Sequence, residues 1–119
     1  TRTDWKNRSH FLAAGALAMR RILVNHAIAR KRQKRGGDVT RIQFDDRLLS
    51  VHEDQDVLVI DEALTELASL NERHAKLVEC RFFGGLTWEE TAEVLGISDG
   101  MARREWRVCR AWLRTRLES

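Results

Sequence analysis

Residues 86–117, LTWEETAEVLGISDGMARREWRVCRAWLRTRL, predict two helices joined by a tight turn. Thr87 is a suitable N-cap for the first helix, and Glu90 three residues later completes a capping box. The helix should end where Gly96 can adopt the left-handed backbone conformation. Ser98 then caps a second, longer helix. A short helix, a glycine-containing turn and a longer helix together are typical of a helix-turn-helix.

The second predicted helix carries an apolar face and an arginine face. The apolar residues recur at helical spacing and are Ala102, Trp106, Cys109, Leu113 and Leu117. The arginines recur at the same kind of spacing on another face and are Arg103, Arg107, Arg110 and Arg114, with Arg104 beside them. A solvated face usually mixes both signs of charge, whereas this one holds only Glu105 in its middle. Within a helix-turn-helix, we therefore expect the arginines to contact DNA rather than only water.

The start of the second helix supplies the side chains that reach base edges when such a helix lies in the DNA major groove. These residues are Asp99, Gly100, Met101, Arg103 and Arg104. The two arginines are the only long hydrogen-bond donors among them. We therefore expect guanines to dominate the preferred site.

Composition predicts an all-α fold. The 119 residues include no proline, no tyrosine and seven glycines, and alternating runs of strand-forming residues are absent. The net charge of +3 is mildly basic, and basic residues gather at the ends of the chain while the middle is acidic. There is no run of about 18 apolar residues, so we predict no membrane span, and no signal peptide is recognised.

Residues 8–34 predict one long helix whose last turns are basic. Its helically spaced apolar positions are Phe11, Gly15, Met19, Ile22, His26 and Ala29. Asn7 or Ser9 could cap its start, and Gly36 and Gly37 should end it. The basic tract consists of Arg30, Lys31, Arg32, Lys34 and Arg35. Cations stabilise a helix C-terminus by about 0.3–1 kcal/mol each, but five in six residues exceed that need and predict a nucleic-acid patch.

The rest of the chain predicts a linker and two more helices. Residues 36–54 are acidic and keep no single apolar period, which predicts a linker after the basic helix of residues 1–35. Residues 55–69 predict a helix, and Asn71 should cap the next one, which ends at two glycines, Gly84 and Gly85. The expected inward residues are Val57, Ile60, Leu64, Leu67, Ala75, Val78, Phe82, Trp88, Trp106 and Trp112. Residues 55–119 would thus form a four-helix domain.

Metal and redox chemistry find little support in the sequence. Cys80 and Cys109 lie on predicted helix faces and suggest a reduced cytoplasmic protein with two half-buried thiols. Close cysteine or histidine pairs with zinc-ligand spacing are missing. His10 and His26 lie on or near the apolar side of the first helix, where packing or hydrogen bonding is expected. We predict no cofactor and no metal.

Two blocks of the chain resemble bacterial extracytoplasmic-function (ECF) sigma factors. Residues 67–113, LASLNERHAKLVECRFFGGLTWEETAEVLGISDGMARREWRVCRAWL, resemble the promoter-reading C-terminal domain of that family. Residues 5–37, WKNRSHFLAAGALAMRRILVNHAIARKRQKRGG, resemble the later part of its N-terminal domain, whose basic helix meets the promoter element that is melted. The resemblance implies a transcription initiation factor that binds promoter DNA and directs core RNA polymerase to it. It also implies that an anti-sigma factor could be a partner.

The chain departs from the family pattern at a few places. The family usually has an aliphatic residue at the position of Thr91, and commonly threonine and valine at those of Met101 and Ala102. The N-terminal helices that clasp core polymerase precede the first matching block in the family. We therefore expect this chain to lack most of those core-binding helices.

The sequence also bears on function classes other than a sigma factor. An enzyme is not expected, because Glu89 and Glu90 are adjacent and point about 100° apart on a helix, and neither a glycine-rich loop nor a Ser, His and Asp set is suggested. One alternative is a helix-turn-helix regulator that acts without polymerase, which normally needs a dimerisation element. The other is a helical module whose arginine face binds an acidic protein partner.

Overall fold

The structure is a computed structural model that describes the backbone of residues 2–34 and 54–118, and the side chains of residues 6–32 and 56–118. In these ranges every regular element is helical, which confirms the predicted all-α fold class. The predicted linker before Asp54, the two glycines at 36 and 37, and Arg35 lie outside the described residues, as does the side chain of Lys34.

Five α-helices and one π-helical segment follow one another along the chain. They are α1 Arg2–Lys34, α2 Asp54–Leu70, α3 Glu72–Val78, the π-helical segment Glu79–Phe83, α4 Trp88–Leu95 and α5 Asp99–Glu118.

The unit formed by α4, the turn of residues 96–98 and α5 has the predicted caps. Thr87 Oγ1 accepts a hydrogen bond from the Glu90 backbone N at 3.0 Å, and Glu90 Oε1 accepts one from the Thr87 N at 2.9 Å. Gly96 has φ 68°, the left-handed conformation. Ser98 Oγ accepts a hydrogen bond from the Met101 N at 3.1 Å. Local sequence therefore determined where both helices begin and how the turn is made.

The main hydrophobic core lies between α2, α3, the π-helical segment and α5. It buries the apolar face of α5 that the sequence predicts. The predicted inward residues of the earlier helices are buried as well, namely Val57, Ile60, Leu64, Leu67, Ala75, Val78 and Phe82. Trp106 belongs to this core, and Trp88 and Trp112 pack against it half-buried. Asn71 caps α3 by accepting a hydrogen bond from the His74 N at 3.1 Å.

The π-helical segment was not predicted from the sequence. The Gly84 N donates to the Glu79 O at 3.0 Å, a bond that spans five residues and not the four of an α-helix. The wider turn lets Glu79, Cys80, Phe82 and Phe83 all be buried. These residues cover more of the helix circumference than one face of a regular α-helix would.

Both cysteines are buried and free. Burial raises the pKa of the Cys80 and Cys109 thiols to about 12, and nearby Glu79 and Glu105 respectively add to the effect. Thiols with such pKa values stay protonated at neutral pH and behave as small apolar side chains. Both thiols are therefore more deeply buried than the half-buried thiols that the sequence suggests.

Helix α1 differs from the prediction in both its start and its inward face. It begins at Arg2, so neither Asn7 nor Ser9 caps it. The predicted apolar face is wrong, because Phe11 is 75% exposed and Ile22 59% exposed. A different side of the helix packs against α2, the π-helical segment and α4 instead. Its packed residues are Leu12, Ala16, Leu23, Val24 and Ala27.

Arg20 explains this orientation of α1. Its Nε donates to Asp61 Oδ1 in α2 at 2.6 Å, and its Nη1 donates to Glu79 Oε1 in the π-helical segment at 2.9 Å. Burial disfavours the charge, but the hydrogen bonds and ion pairs with the two carboxylates outweigh it and raise the pKa of Arg20. Apolar residues occur on most sides of α1, so its rotation follows the side on which Arg20 meets these carboxylates.

A second contact holds α1 close to the rest of the fold at Gly84. A Cβ built on Gly84 would lie 2.8 Å from the Ala16 Cβ and 2.9 Å from the Cys80 carbonyl oxygen. Gly84 itself has a helical backbone, with φ −80°, whereas Gly85 has φ 62° and ends the helical path. The two glycines therefore serve different purposes, a close helix approach and a turn.

By length and composition alone, α1 between Lys6 and Arg32 is sufficient to cross a membrane. Composition by itself therefore does not support the prediction that the chain has no span. Core helices of water-soluble proteins pass the same test. In this fold the middle of α1 carries Arg20, which is paired with the carboxylates of α2 and the π-helical segment.

Replacing Gly96 should destabilise the fold, whereas the same change at Gly15 should not. Gly96→Ala forces a Cβ into a left-handed conformation and should lower the free energy of unfolding by about 1–2 kcal/mol. Gly15 lies within α1 with open space where a Cβ would be, so Gly15→Ala should raise that free energy by up to about 1 kcal/mol. Urea denaturation of both variants measures the two shifts. Equal stability of Gly96→Ala and the parent would contradict the turn geometry.

Removing the charge of Arg20 should be far more costly than removing that of its neighbour. Arg20→Met leaves Asp61 and Glu79 without their guanidinium partner and should lower the free energy of unfolding by about 3 kcal/mol. Arg21 is exposed, so Arg21→Met is the matched control and should stay within about 0.5 kcal/mol of the parent. Thermal and urea denaturation test this pair. Similar losses for both variants would show that Arg20 does not anchor α1.

Candidate nucleic-acid interface

The exposed side of α5 is dominated by arginines. The buried residues of α5 face the core, which turns the predicted arginine face towards solvent. Arg103, Arg104, Arg107 and Arg114 are exposed, and Arg110 is half-buried. Guanidinium groups can donate to both phosphate oxygens and guanine edges. The arrangement is therefore chemically suited to a nucleic acid.

The one acid that the sequence places in this face turns away from it. Glu105 Oε1 accepts from Arg73 Nε at 3.0 Å and lies 3.1 Å from His74 Nε2, both in α3. The Glu105 side chain is only 12% exposed. Between Gly100 and Leu117, all exposed charged side chains of α5 are consequently arginines. This separation of charge depends on α3 and could not be predicted from α5 alone.

Arg116 has a different role from the other arginines of α5. Its Nε donates to Glu66 Oε2 in α2 at 2.6 Å, and its Nη2 lies 3.9 Å from Glu62 Oε1. The hydrogen bond to Glu66 is the main reason that the pKa of Arg116 is raised. Arg116 therefore ties the end of α5 to α2.

The structure brings the predicted base-reading residues together at the N-terminal end of α5. Asp99, Gly100, Arg103 and Arg104 are exposed there, and Met101 is half-buried. Asp99 lies in the first turn of α5, where a negative charge is favourable for the helix. The two arginines supply the long hydrogen-bond donors at this end.

Trp88 joins this end of the candidate interface, a role that the sequence pattern did not single out. The Arg103 guanidinium carbon lies 5.3 Å from the centroid of the Trp88 ring, and that of Arg81 lies 4.2 Å from it. The Trp88 ring also meets Trp106 edge-on, with centroids 6.0 Å apart. Trp88 lies on α4 and Arg103 on α5, so no helical spacing links them. The sequence placed Trp88 among the expected inward residues, and the structure leaves it half-buried.

The basic tract is a separate region at the C-terminal end of α1. Arg30, Lys31 and Arg32 are exposed there. Ser9, near the other end of α1, donates from its Oγ to the Glu93 carbonyl oxygen of α4 at 3.3 Å. At 1.5 Å per residue, about 33 Å of helix separate Ser9 from Lys31. The basic tract thus lies far from the place where α1 meets α4.

The described side chains offer little to a metal ion. Groups of three or more histidine, cysteine or acidic side chains that could hold a metal are not found among residues 6–32 and 56–118. His10 and His26 are exposed, so the expectation that they pack or hydrogen-bond on an apolar face is wrong. They lie on the sides of α1 that the orientation set by Arg20 leaves in solvent.

Comparison with known proteins identifies the family. A family model described as ECF sigma factor matches residues 1–119, the whole chain. Searches of curated proteins and of solved structures gave no match. The match covers both blocks that resemble this family in the sequence and the segment between them. The chain therefore belongs to the ECF sigma factor family, non-catalytic proteins that act in transcription initiation.

Proposed function

We propose that this sigma factor binds promoter DNA through the α4–turn–α5 unit, used as a helix-turn-helix with α5 in the major groove. The observation that carries the proposal is the one-sided charge of α5, whose exposed charged residues between Gly100 and Leu117 are all arginines. A merely solvated face has no need to exclude acids. The major groove admits an α-helix and presents both phosphates and guanine acceptors to it.

The proposal divides the arginines of α5 between two tasks. Arg103 and Arg104 lie near the N-terminal end and would read base edges, together with Asp99, Gly100 and Met101. Arg107, Arg110 and Arg114 lie further along the helix and would contact phosphates. Phosphate contacts position the protein, whereas base contacts specify the sequence.

The remaining partners follow from membership of the family. We propose that the chain directs core RNA polymerase to the promoter and that the basic tract of α1 contacts separate, downstream DNA. An anti-sigma factor would be a regulatory partner. The protein would act in the cytoplasm, without a membrane or a cofactor. The division into residues 1–35, 36–54 and 55–119 belongs to the same proposal.

Salt dependence of DNA binding tests the phosphate contacts. Arg107→Ala should weaken binding to all sequences alike and reduce the slope of log affinity against log salt by about 0.9, the value for one lost phosphate contact. Arg116→Ala removes the same charge from the same helix, but Arg116 is held by Glu66, so its slope should equal that of the parent. Fluorescence anisotropy of a labelled duplex of about 30 base pairs, which is about three helical turns, between about 50 and 200 mM salt gives both slopes.

Two results would contradict the proposal. Equal slopes for Arg107→Ala and the parent would remove Arg107 from the phosphate contacts. An absence of DNA binding by the parent at low salt would favour the alternative in which the arginine face binds an acidic protein.

Selection from a random DNA pool tests the base contacts. The parent should enrich sites that contain guanines, and Arg103→Ala and Arg104→Ala should each lose the preference at one guanine, because a bidentate arginine–guanine pair discriminates by about 1–3 kcal/mol. Arg107→Ala is the control and should enrich the parental site with weaker binding overall. Identical sites from the parent and from both variants would show that neither arginine reads a base.

A further inference from the structure

We infer that Trp88 is a positioning residue for the interface, one that holds the Arg103 guanidinium ready to read a guanine. The inference rests on the proposed function of α5. Arg103 is exposed, yet its guanidinium carbon lies 5.3 Å from the Trp88 ring centroid. The Trp88 ring therefore restricts the conformations of the long Arg103 side chain.

Trp88 is itself held by residues outside the arginine face. It follows the N-cap Thr87 at the start of α4 and is half-buried against the main core. Trp106 meets its ring edge-on at an interplanar angle of 68°. Arg81 packs over the ring at 4.2 Å and donates from its Nη1 to the Leu86 carbonyl oxygen. The ring is therefore a fixed support and not a second mobile side chain.

The contact with Trp88 is compatible with base reading. A guanidinium that is held over an aromatic ring by cation–π attraction needs none of its N–H donors for that contact. Those donors remain available to the N7 and O6 acceptors of a guanine. The contact thus orders Arg103 without consuming the groups that would recognise DNA.

Arg104 provides the internal comparison. It lies next to Arg103 and is likewise exposed. Among the described residues, however, the α5 arginine that contacts the Trp88 ring is Arg103 and not Arg104. Arg104 must therefore be ordered by DNA itself. Ordering a flexible side chain on binding lowers affinity by about threefold to tenfold. Arg103 would avoid this loss because Trp88 already restricts its side chain.

Two guanidinium groups over one ring also concentrate positive charge at the start of α5. Arg81 and Arg103 both lie within 6 Å of the Trp88 centroid, at 4.2 and 5.3 Å. The electron-rich ring face offsets part of their mutual repulsion. The ring thus holds both guanidinium groups near the start of α5.

A double-mutant cycle in DNA binding tests the inference on the full chain. The probes are the duplex selected by the parent and copies in which one guanine at a time is replaced by 7-deazaguanine, which lacks the N7 acceptor. The guanine whose replacement weakens the parent but not Arg103→Ala is the base read by Arg103. Discrimination at that guanine is then measured for Trp88→Leu, for Arg103→Ala and for the double variant.

Trp88→Leu should reduce discrimination at that guanine by about threefold to tenfold and should have no further effect on it in the Arg103→Ala background. Discrimination at the guanine read by Arg104 should not change. Trp88→Phe keeps an aromatic face and should restore most of the loss. Far-UV circular dichroism and melting identify any loss of folding, and Trp88→Met against Trp88→Phe repeats the comparison if Trp88→Leu unfolds.

The outcomes separate this inference from the proposed function. Unchanged discrimination in Trp88→Leu, with a loss in Arg103→Ala, overturns the positioning role and leaves base reading by α5 intact. An equal loss at the guanines read by Arg103 and Arg104 shows a general structural effect and also overturns it. Unchanged discrimination in Arg103→Ala itself overturns both the inference and base reading by Arg103.

Discussion

The burial of one side of α5 is the constraint on which the candidate interface depends. Ala102, Trp106, Cys109, Leu113 and Leu117 lie in or against the core, so α5 cannot rotate about its axis. Each of the four arginines of the predicted face directly follows one of the first four buried residues in the sequence. Successive residues on a helix differ by about 100°. The same rotation that buries the apolar side therefore presents the arginines to solvent.

Ion pairs elsewhere in the fold complete this separation of charge. Glu105 contacts Arg73 and His74 of α3 through its carboxylate, and Glu93 of α4 forms an ion pair with Arg8 of α1. Ion pairs at the surface, such as these with an exposed arginine, contribute about 0–1 kcal/mol to stability. Their larger effect is on the distribution of charge over the surface. An acid that is paired with a residue of another helix no longer offsets the positive charge of an arginine of α5. A net charge of only +3 is compatible with a strongly basic face for this reason.

The packing of α1 against the rest of the fold depends on a partly buried ion pair, in which the cost of burying a charge is offset by its partners. Burying a guanidinium is costly unless carboxylates surround it, and Arg20 meets Asp61 and Glu79. Gly84 then lets α1 approach closely beside Ala16. The consequence is that apolar residues such as Phe11 and Ile22 are on the outside, although their spacing predicts the opposite.

The sequence by itself determined the caps of α3, α4 and α5, the turn at Gly96 and the inward face of α5, because these features depend on residues close together in the chain. It also determined the family. Tertiary structure alone decided the rotation of α1, the removal of Glu105 from the arginine face and the contact of Trp88 with Arg103. Each of these joins residues of different helices through charge or ring geometry, and the period of one helix carries no information about the side chains of another.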